Sequence, residues 1–410
     1  MKKSFAVSLV AGLVSGNILA LDVEPEITNL SVVQNDSRMV SITYTLSQAA
    51  IMTLDLTTNG VSIGRENVLK VFDPSKPTAG YPLDVIVQPG EHALMWKPVR
   101  DWPGHVFRNG EFAVELKAWS LDNPPDYMVV DLQSPYARHY YQSADDLPNG
   151  GVTNSLYKTE KLVMRKITAA GITWRMGSPA SESTFRDPSE VLHYVTMTND
   201  YFISVYPLTT YQRIRGTGVG FEWGTKPAAG VSYNAFRGSP TTDGATWNWP
   251  THGHAVKPDS ELDVLRTRTG LQFDFPTEAQ WEYACRAGSE GSIWGTPSAD
   301  YGWFVENASG TYKEVGTRKP NGWGLFDMNG LVSEWVLDQW GTPSEDAVVE
   351  PTGPSDTPGK RVTKGGSAWY NFVVKGRSAS RIGYASSAGA DENVGGGFGI
   401  RLCCPAKLPR

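Results

Sequence analysis

The sequence predicts two folded units in one chain: an all-β sandwich over residues 21–125, then an α+β domain with much irregular structure over residues 156–410. Three observations carry that expectation. Apolar residues alternate at period two through the first quarter of the chain, the signature of half-buried strands. Helix-start signals are few and fall after residue 200. The 42 Gly, 27 Pro and 14 Trp, with only 20% charged residues, describe loops pinned by large aromatics more than long charged helices.

A chain of 410 residues is long enough for two or three domains, and two are expected. Lys plus Arg is 37 and Asp plus Glu is 43, a formal charge of −6. Such a balance gives no general attraction to nucleic acid or anionic lipid. Lys2-Lys3 precedes an apolar run from Phe5 to Ala20. That run is short for a bilayer span and suits a secretory h-region, so residues 1–20 read as a cleaved signal peptide, with an uncleaved anchor as the alternative. No later segment is apolar over about 18 residues, so no membrane span is expected in the mature chain, which would be secreted or periplasmic. Export would place Cys285, Cys403 and Cys404 where one disulfide can form and one thiol is left over. No CxxC spacing or Cys/His cluster argues for zinc.

In chain order, Val40, Ile42, Tyr44 and Leu46 alternate, and so do Met52, Leu54 and Leu56. Asn59-Gly60 between them and Val61 predicts a type I′ hairpin turn. Phe112, Val114, Leu116 and Ala118 mark a further strand. Short strands separated by Pro and Gly suggest a sandwich of immunoglobulin or fibronectin type, a spacer or adhesion module to which no chemistry is assigned. Residues 126–155, with Pro135 and Pro148-Asn149-Gly150-Gly151, read as a linker. Lys161–Met176 alternates around Ala170-Gly171, which predicts a hairpin. Thr209-Thr210-Tyr211-Gln212 and Thr277-Glu278-Ala279-Gln280 each fit a capping box, after Pro207 and Pro276. Gly288 is a natural end for the second helix. From Asp300 onward the chain reads as loops with a few strands.

Several of these segments carry a resemblance. Phe275-Pro276-Thr277-Glu278-Ala279-Gln280-Trp281-Glu282-Tyr283-Ala284-Cys285-Arg286-Ala287-Gly288 is similar to the central helix of the formylglycine-generating enzyme, or sulfatase-modifying factor, family. Four more segments agree in order: Arg175–Pro179, Tyr201–Thr209, Pro320–Trp335, and Lys364-Gly365-Gly366-Ser367 through Arg381 with the terminal Gly399-Ile400-Arg401. Five motifs across about residues 160–404 make a specific match.

The resemblance implies a C-type-lectin-like α+β fold of small twisted sheets and two helices. It also implies an activity, the oxidation of a sulfatase cysteine to formylglycine by copper held on two cysteines after Gly-Gly-Ser. Aligned on Gly365-Gly366-Ser367, those positions hold Tyr370 and Lys375. Neither replaces a thiolate, the soft ligand that Cu(I) requires, so copper is not expected. The resemblance further implies a calcium site of Asn329, Gly330, Val332 and Glu334, which supply three backbone carbonyls and a carboxylate. The alternative is that Glu334 caps a turn or pairs with an arginine. A family disulfide from the central helix to the last strand maps onto Cys285 and, by strand alternation, Cys404; three free thiols are the alternative. The family groove would be lined by Trp335, Ser367, Tyr370, Arg377 and Arg381.

His252-Gly253-His254 is either a metal pair or a solvated loop, and no third ligand is spaced to complete it. Asp187, Glu190 and His193 form an acid-base set or a surface loop. Gly395-Gly396-Gly397 lacks the strand-to-helix context of a phosphate loop. The reading is therefore an exported family member without its copper cysteines, a binding or structural module for a protein, peptide or glycan, with structural calcium as the one expected cofactor. The alternative is a divergent oxidase of the formylglycine-generating type.

Overall fold

The computed structural model describes residues 24–35, 38–77, 81–105, 111–133, 136–182, 185–220, 224–238, 256–295, 298–353, 359–389 and 397–408. The signal-peptide segment, His252–His254 and Gly395-Gly396 lie outside them.

The first part contains β1 (Ile27–Gln34), β2 (Val40–Leu46), β3 (Ala50–Thr58), β4 (Val61–Ser62), β5 (Ile86–Val87), β6 (Gly90–Trp96) and β7 (Phe112–Trp119), with one short helix, α1 (Pro98–Asp101). One sheet runs β1-β2-β6; in the other, β3 pairs with β4, β5 and β7. The alternating residues face inward as expected. Ile42 and Tyr44, Leu54 and Leu56, Trp96 and Leu116 belong to one buried cluster shared by both sheets. Asn59 and Gly60 both take positive φ, the conformation a two-residue hairpin needs to match strand twist.

The second part has α+β architecture. Its strands are β8 (Tyr127–Asp131), β9 (Arg138–Tyr141), β10 (Lys161–Ile167), β11 (Thr173–Met176), β12 (His193–Thr196), β13 (Tyr201–Ser204), β14 (Ser333–Gln339), β15 (Val348–Val349), β16 (Lys360–Lys364), β17 (Arg381–Ala385), β18 (Phe398–Gly399) and β19 (Cys403–Pro405). They form a five-stranded sheet β19-β13-β10-β8-β9, a three-stranded sheet β11-β12-β15 and a four-stranded sheet β17-β16-β14-β18. The helices are α2 (Thr210–Thr217), α3 (Tyr233–Phe236), α4 (Glu261–Thr269), α5 (Glu278–Arg286), α6 (Val305–Ala308) and α7 (Phe372–Lys375). Both capping boxes form: the Thr209 and Thr277 hydroxyls accept from the Gln212 and Gln280 amides, and the glutamine side chains accept in return.

Two expectations fail for physical reasons. The segment read as a linker supplies β8 and β9, and β8 pairs with β10 over five residues. Tyr127, Met128, Val129 and Val130 are buried on both faces of a sheet, so they form a continuous apolar run with no alternation to read. Nor do the two halves of Lys161–Met176 pair with each other. Asp200 accepts from the Ala169 and Ala170 amides and turns the chain out of the first sheet, so that β10 pairs with β13 and β11 with β12.

The two parts meet at Asp84, which is buried. Its carboxylate accepts from the Tyr140 amide at 3.3 Å, contacts His139 Nδ1 at 3.0 Å and pairs with Arg65. Ile51 and Leu121 pack into the core of the second part. Among the described residues, no helix is long and apolar enough to cross a membrane.

Candidate functional site

The loop between β16 and β17 depends on two glycines. Gly365 has φ +86° and a Cβ there would lie 2.9 Å from the Met328 carbonyl oxygen; Gly366 has φ +68° and a Cβ would lie 2.6 Å from that of Lys375. Only glycine meets both demands. The loop then lies against residues 328–332, with the Gly330 amide donating to Gly365 O and the Ala368 amide to Leu331 O.

Beneath it is a buried layer of charge. Arg381 donates from Nε and Nη2 to the two oxygens of Glu278, each at 2.8 Å, and its guanidinium lies 4.8 Å from the Trp340 ring centroid. Lys364 Nζ reaches Glu282 at 3.0 Å and Glu278 at 3.4 Å. Glu282 also holds Arg286 and accepts from the Gly177 amide. Burial pushes the Glu282 carboxyl up, but Lys364 and Arg286 outweigh it and hold the group down at about 2. Asp338 accepts from the Glu278 amide at the start of α5, and burial next to the Glu278 carboxylate raises it to about 7. Arg377 clamps Glu190 with two 2.6 Å bonds and Glu182 with a third. The candidate acid-base set is thus divided. Glu190 is an ion-pair partner, Asp187 caps Ser189, and buried His193 contacts the Val191 carbonyl.

Of the five residues expected to line a groove, four lie inside. Trp335 is 0% exposed, Ser367 and Arg381 2% and Arg377 3%. Trp335 Nε1 donates to the Val231 carbonyl, and both arginines are held by carboxylates. Tyr370 alone is half-buried.

A family profile described as "Sulfatase-modifying factor enzyme 1-like domain" matches residues 156–403, more than half of the chain. The chain belongs to the sulfatase-modifying factor family. It is 33% identical over 195 residues to the formylglycine-generating enzyme of Mus musculus, covering 40% of this chain and 50% of the relative. It is 37% identical over 135 residues to that of Thermomonospora curvata, covering 28% and 44%. The chain thus spans half or less of the length of these relatives. Among solved structures, PvdO from Pseudomonas aeruginosa is similar with a TM-score of 0.46 and 22% identity, covering 59% of this chain and 94% of that one. Treponema denticola variable protein 1 gives 0.45 and 19%, covering 60% and 95%.

At Tyr370, where the resemblance places the first copper cysteine, the hydroxyl is hydrogen-bonded to the Tyr384 hydroxyl at 2.7 Å. At the second, Lys375 ends α7, and its charge acts on Asp187. The three cysteines of this family member are free and buried. Cys285 Sγ lies 3.6 Å from Asn329 Oδ1 and 3.5 Å from Ser378 Oγ, and burial raises it to about 11; burial also raises Cys404, to about 12, and raises Cys403. The expected Cys285–Cys404 bond is therefore replaced by two separate thiols. Cys404 is opposite Phe202 in the sheet, whereas the neighbouring Tyr201 bonds α5 at the Gln280 carbonyl; adjacent strand residues face opposite ways, so Cys404 points away from α5.

The calcium set does not fit the ion either. Both Glu334 oxygens accept from Arg401, and one also accepts from Trp281 Nε1 at 2.6 Å. The Gly330 carbonyl accepts from the Val332 amide. A carboxylate already neutralised by a guanidinium has little left for a cation.

Sequence reasoning did not single out Glu278, Glu282, Lys364 or Asp338. The spacing of Glu278 and Glu282, four apart on one helix face, was the signal available for the first two.

Proposed function

We propose that the family domain is a binding or structural module that does not oxidise cysteine. The observation that carries this reading is the Tyr370–Tyr384 phenol pair where the resemblance places the first copper cysteine, with every thiol buried elsewhere. A phenol and an ammonium offer Cu(I) none of the soft sulfur it prefers. The surface beside the pair is aromatic and half-buried. Trp369 packs edge-on to Tyr312 at 4.4 Å, and Trp303 carries Arg318 at 3.6 Å and Lys313 at 5.7 Å over its ring. Aromatics with cations are common in recognition surfaces, and a protein, peptide or glycan would bind there. The C-type-lectin-like arrangement, the first domain as an immunoglobulin- or fibronectin-like spacer, and export by residues 1–20 belong to the same reading. N-terminal sequencing of the mature protein tests the last.

The deciding experiment incubates purified protein with Cu(I) and oxygen and a cysteine-containing sulfatase peptide. No tight copper binding and no aldehyde are expected. One equivalent of tightly bound Cu(I) together with aldehyde formation would establish the divergent oxidase instead.

A further inference from the structure

An open cleft lies far in sequence from the family motifs, in the first part of the chain. It is a cleft of about 410 Å³ between the 69–77 segment and the turn from β6 into α1, and Lys70, Phe72, Tyr81, Lys97 and Arg100 are among the residues that line it. Its construction is specific. Phe72 exchanges both backbone hydrogen bonds with Met95 and so extends the β6 edge. The Phe72 ring is flanked by Lys97 Nζ at 5.6 Å and the Arg100 guanidinium at 5.9 Å. Arg100 is fixed by Asp101 and by the Lys70 carbonyl. Among the described residues, no carboxylate pairs with Lys70 or Lys97, and the buried Tyr81 hydroxyl has no hydrogen-bond partner. A chain of net charge −6 thus holds two uncompensated ammonium groups around an aromatic floor.

The volume falls in the range of small-ligand sites, about 300–1,000 Å³. The cations name an anion. Arg100 Nε and Nη2 are already committed, so no free guanidinium fork is presented, and the fork is the group that grips phosphate best. Lysines act as point charges and suit a single carboxylate or sulfate at the rim. The floor of Phe72 and Val71, with Tyr81 on the wall, suits a ring that has a C–H face, and the lysine ammonium groups can donate to its hydroxyls as well as to its carboxylate. We propose that this cleft binds an acidic sugar residue, either as a free sugar acid or within an anionic polysaccharide.

The test is calorimetric titration of the full-length protein with galacturonic acid, trigalacturonate, neutral maltotriose and phenylacetate, at low and at physiological salt. Binding of an acidic sugar that weakens with salt is expected, with no heat from maltotriose or phenylacetate. Equal binding of monomer and trimer assigns the free sugar acid, and binding of the trimer alone assigns the polysaccharide. The double substitution Lys70→Gln/Lys97→Gln should weaken binding about tenfold or more, with an unchanged melting temperature. The exposed, distant Lys117→Gln should leave binding unaltered. Failure of both acids to bind at millimolar concentration, equal binding of maltotriose or phenylacetate, or full affinity in the double variant would each overturn the proposal.

Discussion

Arg401 meets Glu334 fork to fork in the interior: Nε and Nη2 donate to the carboxylate at 2.9 to 3.1 Å. The other N–H groups reach the Ser204, Val205 and Phe326 carbonyls. Removing one partner leaves the other charge buried and alone. Glu334→Gln is expected to destabilise the fold by about 3–5 kcal/mol, measured by urea denaturation. Calcium and chelator should leave the wild-type melting temperature where it is; a rise with calcium that vanishes in Glu334→Gln would restore the metal site.

The phenol pair sets a second expectation. Tyr370→Phe and Tyr384→Phe each remove the same 2.7 Å bond and should each cost about 1 kcal/mol. Because the two substitutions remove the same bond, the double variant should cost less than the sum of the two single ones. Additive losses in a double-mutant cycle would show that the two hydroxyls act separately.

Asp327 gives a pH dependence. It is buried, its Oδ2 accepts from the Gly316 amide, and burial raises it from an ordinary 3.8 to about 6. A folded value above the unfolded one means that the folded state holds the proton more tightly. The stabilisation is complete below about pH 4 and is lost as pH rises through about 6. Asp327→Asn keeps the acceptor, tolerates the φ of 58° and cannot ionise. Its stability in urea should gain on wild type as pH rises from 4 to 7, by on the order of 2–3 kcal/mol at the end. A constant gap across that range refutes the assignment.

Three free thiols can be counted. The native protein should react slowly with a thiol reagent, since its cysteines are buried and protonated. In urea without reductant, all three should react. A count of one there would mean that a disulfide exists.

The sequence reveals what is local. The capping boxes at Thr209 and Thr277, the alternation in β2, β3 and β7 and the Asn59-Gly60 turn depend on residues a few positions apart, and each was readable. Helix α4 is absent from the sequence reading, although the Ser260 hydroxyl caps it by accepting from the Asp263 amide, an ordinary start signal. The candidate site is harder to read, because a polar residue in a sequence carries no mark of whether it is exposed or buried with a partner. Arg377 and Glu190 are 187 positions apart, and Arg381 and Glu278 are 103. Nothing local shows that these arginines are buried with partners from distant loops, whereas the half-exposed Tyr370 has a partner only 14 positions away.

The strands β8 and β9 lie upstream of the family match yet complete its sheet, and β9 carries His139, which contacts Asp84 of the first part. The portable unit of this protein is therefore wider than the homology that identifies it. A recombinant chimera joined at residue 156 would sever a sheet between neighbouring strands, while one joined near residue 122 would carry all five strands across intact.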